Sequence, residues 1–312
     1  MIISASRRTD IPSYYSEWFF QRIKEQYVLV RNPMNPHQVG KVSLSPDLID
    51  CIVFWTKNPL PMLPKLHQLK DYMYYFQYTI TGYENDLEGN LPEKWTTIVP
   101  TFQKLAEAIG SDRVILRYDP VLLNSNYTIE YHLQFFERLL NHLKGYTKRV
   151  VVSFIDFYAK MKQNMKDIEV WSISREQEEL LLKAMVQIAT EYGMTIETCS
   201  ESGDYEHLGV LHGACISKDL IEALLGLPLQ VNQDKNQRKE CGCVESIDIG
   251  TYNTCLNGCV YCYANHSPWS VKTNIQTYQK DSPILCSTIT EEDHVYERKI
   301  KEFRQNQFQL KF

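Results

Sequence analysis

The chain has 312 residues, with 38 acidic against 33 basic side chains and a formal net charge of -5. Apolar residues make up 44% and charged residues 23%, with 13 Gly and 13 Pro, which excludes collagen, coiled coil and wholesale disorder and leaves a globular chain long enough for a real core. The acidic balance removes any global electrostatic reason to bind a polyanion, so nucleic acid would need a local basic groove.

No apolar run approaches the roughly 18 to 20 residues of a membrane span, and the start Met1 to Arg8 has no signal-peptide pattern. The expectation is a cytoplasmic protein with no membrane partner. Nine cysteines, an odd number without an export signal, favour thiolate chemistry or metal binding over a disulfide framework.

Taken along the chain, short β-branched or aromatic runs alternate with segments of helical period, the signature of repeated βα units on a mainly parallel sheet. Strands are predicted at 2–6, 28–30, 52–55, 74–81, 114–118, 150–154, 195–199 and, less strongly patterned, 246–249. Residues 13–26 read as a helix with Trp18, Phe19 and Ile23 facing inward, and 101–109 as a helix closed by Gly110. A third helix, 128–144, starts on Thr128 and stops before Gly145; a fourth starts on the Ser174 to Gln177 capping box and closes on Gly193.

This pattern predicts an α/β protein built as a single (β/α) barrel or partial barrel, with a doubly wound sheet as the alternative. Residues 1–270 would form the barrel. Residues 271–312 would be a C-terminal extension packed on it, with the charge-alternating stretch 291–312 read as a solvated helix face. The polar segment 230–240 reads as a surface loop.

In parallel α/β folds function gathers at the carboxyl ends of the strands. Those ends carry Arg7, Arg8 and Asp10, then Lys57, then Arg117 and Asp119, then Asp156, the candidate catalytic and substrate-positioning groups. Any one of them is as readily a helix cap or a rim ion pair, and Asp10 is a natural cap for the helix after Pro12. Together they point to a polar or anionic ligand.

Seven of the nine cysteines fall between residues 199 and 262. Cys255, Cys259 and Cys262 have C-x3-C-x2-C spacing around Gly258, which allows three thiolates to fold around one centre. A structural zinc wants a closed set of four ligands, with His266 the nearest rival fourth, whereas a four-iron cluster held by three thiolates keeps one iron open.

Here the sequence resembles the radical SAM superfamily, which uses C-x3-C-x-aromatic-C to hold a 4Fe-4S cluster whose free iron is chelated by S-adenosylmethionine. The resemblance implies that Cys255, Cys259 and Cys262 are the cluster ligands, that Tyr261 lies where the superfamily contacts the adenine, and that Asn265 belongs to the same cofactor-binding stretch. The wording Cys259-Val260-Tyr261-Cys262-Tyr263-Ala264 looks most like the branch containing spore photoproduct lyase. The superfamily's motif usually follows its first strand, so a barrel of this type would be circularly permuted, with the cluster loop C-terminal. The superfamily's Gly-Gly-Glu segment is absent from this chain.

Over nearly its whole length the chain also resembles an uncharacterised bacterial family, number eighteen forty-eight among the domains of unknown function. The resemblance rests on Ser6-Arg7-Arg8-Thr9-Asp10-Ile11-Pro12, Phe54-Trp55-Thr56-Lys57-Asn58-Pro59, Arg117-Tyr118-Asp119-Pro120 and Asp248-Ile249-Gly250-Thr251-Tyr252.

Cys199, Cys215, Cys241 and Cys243 supply the number of thiols that a second 4Fe-4S cluster or a structural zinc needs, with His212 as a substitute ligand. In a regular barrel the end of the strand at 195–199 and the start of that at 246–249 lie on opposite faces. Joining them requires the 230–245 segment to climb over the top.

The resulting expectation is a radical SAM-like enzyme with a 4Fe-4S cluster and S-adenosylmethionine, acting on a small-molecule or nucleotide-like substrate and served by an electron donor such as ferredoxin or flavodoxin. Its rivals are an iron-sulfur or zinc protein without turnover and a repair enzyme acting on a nucleic-acid lesion.

Overall fold

The β-branched runs form parallel strands because a strand covered on both faces needs apolar side chains on both. In the computed structural model, which describes residues 1–304, β1 (Ile2–Ala5) is buried throughout and leads through α1 (Ile11–Tyr14) and α2 (Ser16–Glu25) to the hairpin of β2 (Tyr27–Asn32) and β3 (Asn35–Ser43). Then follow β4 (Cys51–Thr56), β5 (Tyr74–Thr79), α3 (Val99–Ile109), β6 (Val114–Val121), α4 (Ile129–Leu143), β7 (Arg149–Phe154), α5 (Arg175–Glu191) and β8 (Thr195–Thr198). The chain closes with β9 (Leu211–His212), α6 (Lys218–Leu225), β10 (Ile247–Asp248), α7 (Pro268–Ile275) and β11 (His294–Glu297).

Eight strands form one parallel sheet in the order β10-β1-β4-β5-β6-β7-β8-β9. Its edges, β10 and β9, do not pair with each other, so the sheet is open. Residues at the carboxyl ends of β1, β4, β5, β6, β7 and β8 nevertheless line one cavity, so the sheet curls into a barrel-like body rather than lying flat. β10 comes late in the chain yet pairs with β1, Ile3 opposite Ile247 and Ser4 opposite Asp248.

The helices form where their caps and apolar stripes require. Thr128 accepts from Tyr131 N, and Ser174 with Gln177 makes the full capping box. α4 turns Phe136, Leu139, Leu140 and Leu143 inward, the i, i+3, i+4 pattern of one buried face. The core runs under the sheet, with the Phe54 and Phe76 rings stacked at 4.7 Å.

Three expectations need correction. The helix predicted for 13–26 is broken at Tyr15, whose hydroxyl reaches 2.5 Å to Thr254 O and pulls that residue out of helical conformation. The run at 28–30 is a strand but not part of the parallel sheet; a tight reversal at Pro33 and Met34 pairs it antiparallel with β3 instead. The stretch expected as a solvated helix face contains β11, which pairs parallel with β3 and places Glu297 2.8 Å from Lys41. Residues 305–312 of that stretch lie outside the described residues. Among the described residues no helix is long and apolar enough to cross a membrane.

Candidate active site

Asp248 of β10 organises the start of the site. Its carboxylate accepts from Ser4 Oγ at 2.9 Å, Ser6 Oγ at 2.5 Å, Arg7 N at 2.8 Å and Gly250 N at 3.0 Å. A Cβ on Gly250 would stand 2.1 Å from Ser6 Oγ, so the two segments approach this closely only through glycine. The Ser-Arg-Arg and Asp-Ile-Gly-Thr stretches, far apart in the chain, are thus one structural unit.

That unit forms one wall of a cavity of about 470 Å3 at the carboxyl ends of the strands. Arg7, Arg8, Asp10, Lys57, Arg117, Asp119 and Asp156 all line it, as do all seven clustered cysteines. Segment 230–240 is the expected surface loop and also roofs the cavity, since Asn236, Gln237 and Arg238 face the same space.

The strand-end charges divide by what they already hold. Lys57 Nζ sits 2.6 Å from Glu88, a carboxylate 1% exposed, which Lys94 also approaches at 3.4 Å. Burial opposes the charge on Glu88, but the two lysines outweigh it and hold the carboxyl below its usual range. Arg117 is engaged by Asp119, 3.0 Å from its Nε, and donates to Cys215 Sγ at 2.6 Å. Asp119 in turn accepts from Ser153. Asp156 pairs with Arg238 at the rim.

Asp10 is a structural acceptor. One oxygen caps α1 at Ser13 N, 3.0 Å, and the other accepts from Lys57 N at 2.8 Å and Asn257 Nδ2 at 3.0 Å, and burial raises its carboxyl. Arg8 lies 3.8 Å from Asp248 and over the Tyr252 ring. Arg7 differs from the rest: its Nε and Nη2 are buried without a partner, and its guanidinium lies 5.3 Å from the Trp55 ring centre.

The Cys255–Cys262 loop is fastened to the segment carrying Glu88. Val260 N donates to Leu87 O at 3.0 Å and Asn90 N to Asn257 O at 3.1 Å, and Glu88 bridges Cys259 in antiparallel fashion. Gly258 turns the loop with φ of 72°, and a Cβ there would meet Asn90 Nδ2 at 2.9 Å. Cys255, Cys259 and Cys262 are half-buried; desolvation pushes all three thiols up, Cys259 to about 12, and Lys57 works against it at Cys259 and Cys262.

Tyr261 faces the cavity with its hydroxyl on Glu88 and its ring edge against Tyr83. Asn265 lies on the other side of the loop, donating to Cys255 O at 2.5 Å and lining a second cavity of about 620 Å3 that Cys255 and Cys259 also border. His266 borders neither cavity; its Nε2 is 3.2 Å from Asn253.

The other four cysteines meet, because the segment before β10 does climb to the mouth. Cys199 Sγ lies 2.8 Å from Cys215 Sγ, and Cys243 Sγ accepts from Ile216 N, next to Cys215, at 3.3 Å; Cys241 and Cys243 line the same cavity. His212 is turned away, 3.1 Å from Glu240 O. Among the described residues no three His, Cys, Asp or Glu side chains form a ready-made metal site. A cluster needs its thiols apart, with its own body between them, and Cys199 and Cys215 are too close to share an ion as they stand.

Sequence reasoning missed Glu88, Trp55, Asn257 and the bracing role of Asp248. Glu88 lies in an acidic loop with no spacing signal; Asp248 lay within a quoted stretch and became meaningful only when β10 paired with β1.

A family model described as a domain of unknown function (DUF1848) matches residues 2–264. No curated protein and no solved structure matches the chain.

Proposed function

The chain belongs to the DUF1848 family, and from the spacing and placement of its cysteines we propose that it is an iron-sulfur enzyme of the radical SAM class, with Cys255, Cys259 and Cys262 holding a 4Fe-4S cluster at three corners. The observation that carries the reading is that all three thiols border the cavity into which Arg7, Trp55 and Arg117 also face. What supports such a cluster is the chemistry of the donor set rather than a preformed geometry, since among the described residues no three such side chains stand as a ready-made metal site. The three sulfurs come from one loop, His266 Nε2 is on Asn253, Asp10 is consumed by backbone and Asn257 donors, and of the other thiols Cys199 and Cys215 face each other.

Such a cluster, when bound, supplies one-electron cleavage of S-adenosylmethionine and so hydrogen abstraction from a substrate. The protein's own residues do the rest. Lys57, anchored by Glu88, puts a fixed positive charge beside the cluster loop and favours the thiolate form of Cys259. Arg7, with two unpartnered buried nitrogens over Trp55, takes the anionic group of the ligand. Trp55, Phe154 and Tyr263 supply apolar lining to the cavity, Tyr263 at its exposed rim. The second cavity, bordered by Cys255 and Cys259 from the outer side, is the approach for an electron donor such as ferredoxin or flavodoxin.

The test is anaerobic reconstitution with iron and sulfide, then reduction in the presence of S-adenosylmethionine. We expect 5'-deoxyadenosine from the parent chain and none from Cys259→Ala. Zinc without iron or sulfide in the parent, or an intact cluster that yields no 5'-deoxyadenosine, would overturn the reading.

A further inference from the structure

We propose that Cys199, Cys215, Cys241 and Cys243 form a closed four-thiolate site for one soft divalent ion of the zinc class, which fixes the wall of the cavity opposite the cluster loop. The inference stands independently of the function proposed for Cys255, Cys259 and Cys262.

Three separate segments are shaped to bring these sulfurs together. A Cβ on Gly213 would meet Glu197 Oε2 at 2.7 Å and Thr198 O at 3.1 Å, so glycine lets the segment after β9 press against β8 and carry Cys215 to Cys199. A Cβ on Gly242 would stand 3.3 Å from Ala214 Cβ, so the Cys241–Cys243 turn rests on that same segment through a second glycine. Cys215 is pinned in turn, its carbonyl accepting from Tyr75 Oη at 2.7 Å and Gln77 Nε2 at 2.9 Å. All four side chains are buried.

The polar surroundings are those of thiolates rather than neutral thiols. Arg117 Nη1 donates to Cys215 Sγ at 2.6 Å and Ile216 N to Cys243 Sγ at 3.3 Å. A neutral thiol sulfur is a weak acceptor, whereas N–H groups aimed at a metal-bound thiolate are the usual outer support of such a site. Arg7, the unpartnered buried guanidinium, is near enough to Cys243 and Cys215 to feel their charge. These two guanidiniums offset part of the two negative charges left when four thiolates bind one divalent ion, Arg117 also facing Asp119 and the four protons passing to the buffer.

The Cys199 to Cys215 spacing favours one ion over a cube. With metal-sulfur bonds of about 2.3 Å, tetrahedral ligands stand about 3.8 Å apart. The Cys199 to Cys215 distance of 2.8 Å therefore needs to open by only about 1 Å to admit an ion, whereas a cube would place a whole metal-sulfide body between the sulfurs. Four protein ligands leave no open position, so the site is structural.

The experiment uses the full-length Cys255→Ala/Cys259→Ala/Cys262→Ala chain, purified anaerobically and titrated with cobalt(II) and then with zinc. The expected result is one cobalt per chain with intense tetrathiolate absorption, displaced by equimolar zinc and lost on adding Cys243→Ser. Should that fourth substitution prevent folding, judged by circular dichroism, Cys241→Ser at the edge of the cavity gives the same reading. Absence of a saturable cobalt signal, absorption that survives both serine variants, or about four irons with matching sulfide after reconstitution would overturn the proposal. Since the trio is removed throughout, the outcome does not depend on whether S-adenosylmethionine is cleaved.

Discussion

Two thiol groups border one cavity and are built in opposite ways. Cys255, Cys259 and Cys262 come from a single loop around Gly258, stay half-buried, and are backed by the Lys57 and Glu88 pair. Cys199, Cys215, Cys241 and Cys243 come from three segments and are buried; Cys199 touches Cys215, and Cys215 and Cys243 receive N–H donors on sulfur. A group spaced along one loop reaches a centre from one side and leaves the opposite side free. A group gathered from several segments surrounds its centre and closes it. In the roles proposed above, the difference separates an open site suited to chemistry from a shut one suited to holding the wall.

The comparison breaks most readily at Glu88. Glu88→Ala leaves Lys57 and Lys94 without their buried carboxylate and is expected to cost about 3–5 kcal/mol in urea unfolding. Iron loading at the trio should fall while cobalt binding at the four-cysteine group persists, and equal loss at both would show that they are not separate units.

A reference lies away from both groups. His132 is buried between Tyr118 Oη at 2.8 Å and Leu122 O at 2.9 Å, and burial lowers its pKa to about 4. The unfolded chain takes up a proton near pH 6.5 and the folded chain does not, so the stability is complete above 6.5 and is lost as pH falls from there to about 4. The loss should be about 3 kcal/mol in urea unfolding across that window and should shrink in His132→Gln. A pH dependence unchanged in the variant would refute the assignment.

Gly213→Ala should cost about 2 kcal/mol, because the new Cβ overlaps Glu197 and Thr198. It should weaken cobalt binding and spare iron at the trio, sharpening the contrast from the other side. Least affected should be Arg238→Ala, which removes a half-exposed rim pair with Asp156: under about 1 kcal/mol by thermal melting, with both metal readouts unchanged.

Much of this was legible in the chain. The parallel strands, the Thr128 cap and the Ser174 capping box follow from local period and short-range hydrogen bonding. The spacing of the trio is a chelate pattern that any loop turned by Gly258 presents together. The second sheet escaped that reading because Tyr27–Asn32 has the pattern of the barrel strands and differs only in its partner.

The charges at the mouth were harder to read. Lys57, Arg117 and Arg7 are equivalent cations in sequence, yet Glu88 occupies the first, Asp119 and Cys215 the second, and Arg7 keeps two buried nitrogens free. Local spacing determined which residues form strands, helices and a three-thiol loop, since those depend on backbone conformation and neighbours a few positions away. Only the tertiary structure decided which charges are already neutralised and which sulfurs meet, because those depend on pairings such as β10 with β1 and Cys199 with Cys215, contacts that folding alone brings within hydrogen-bond range.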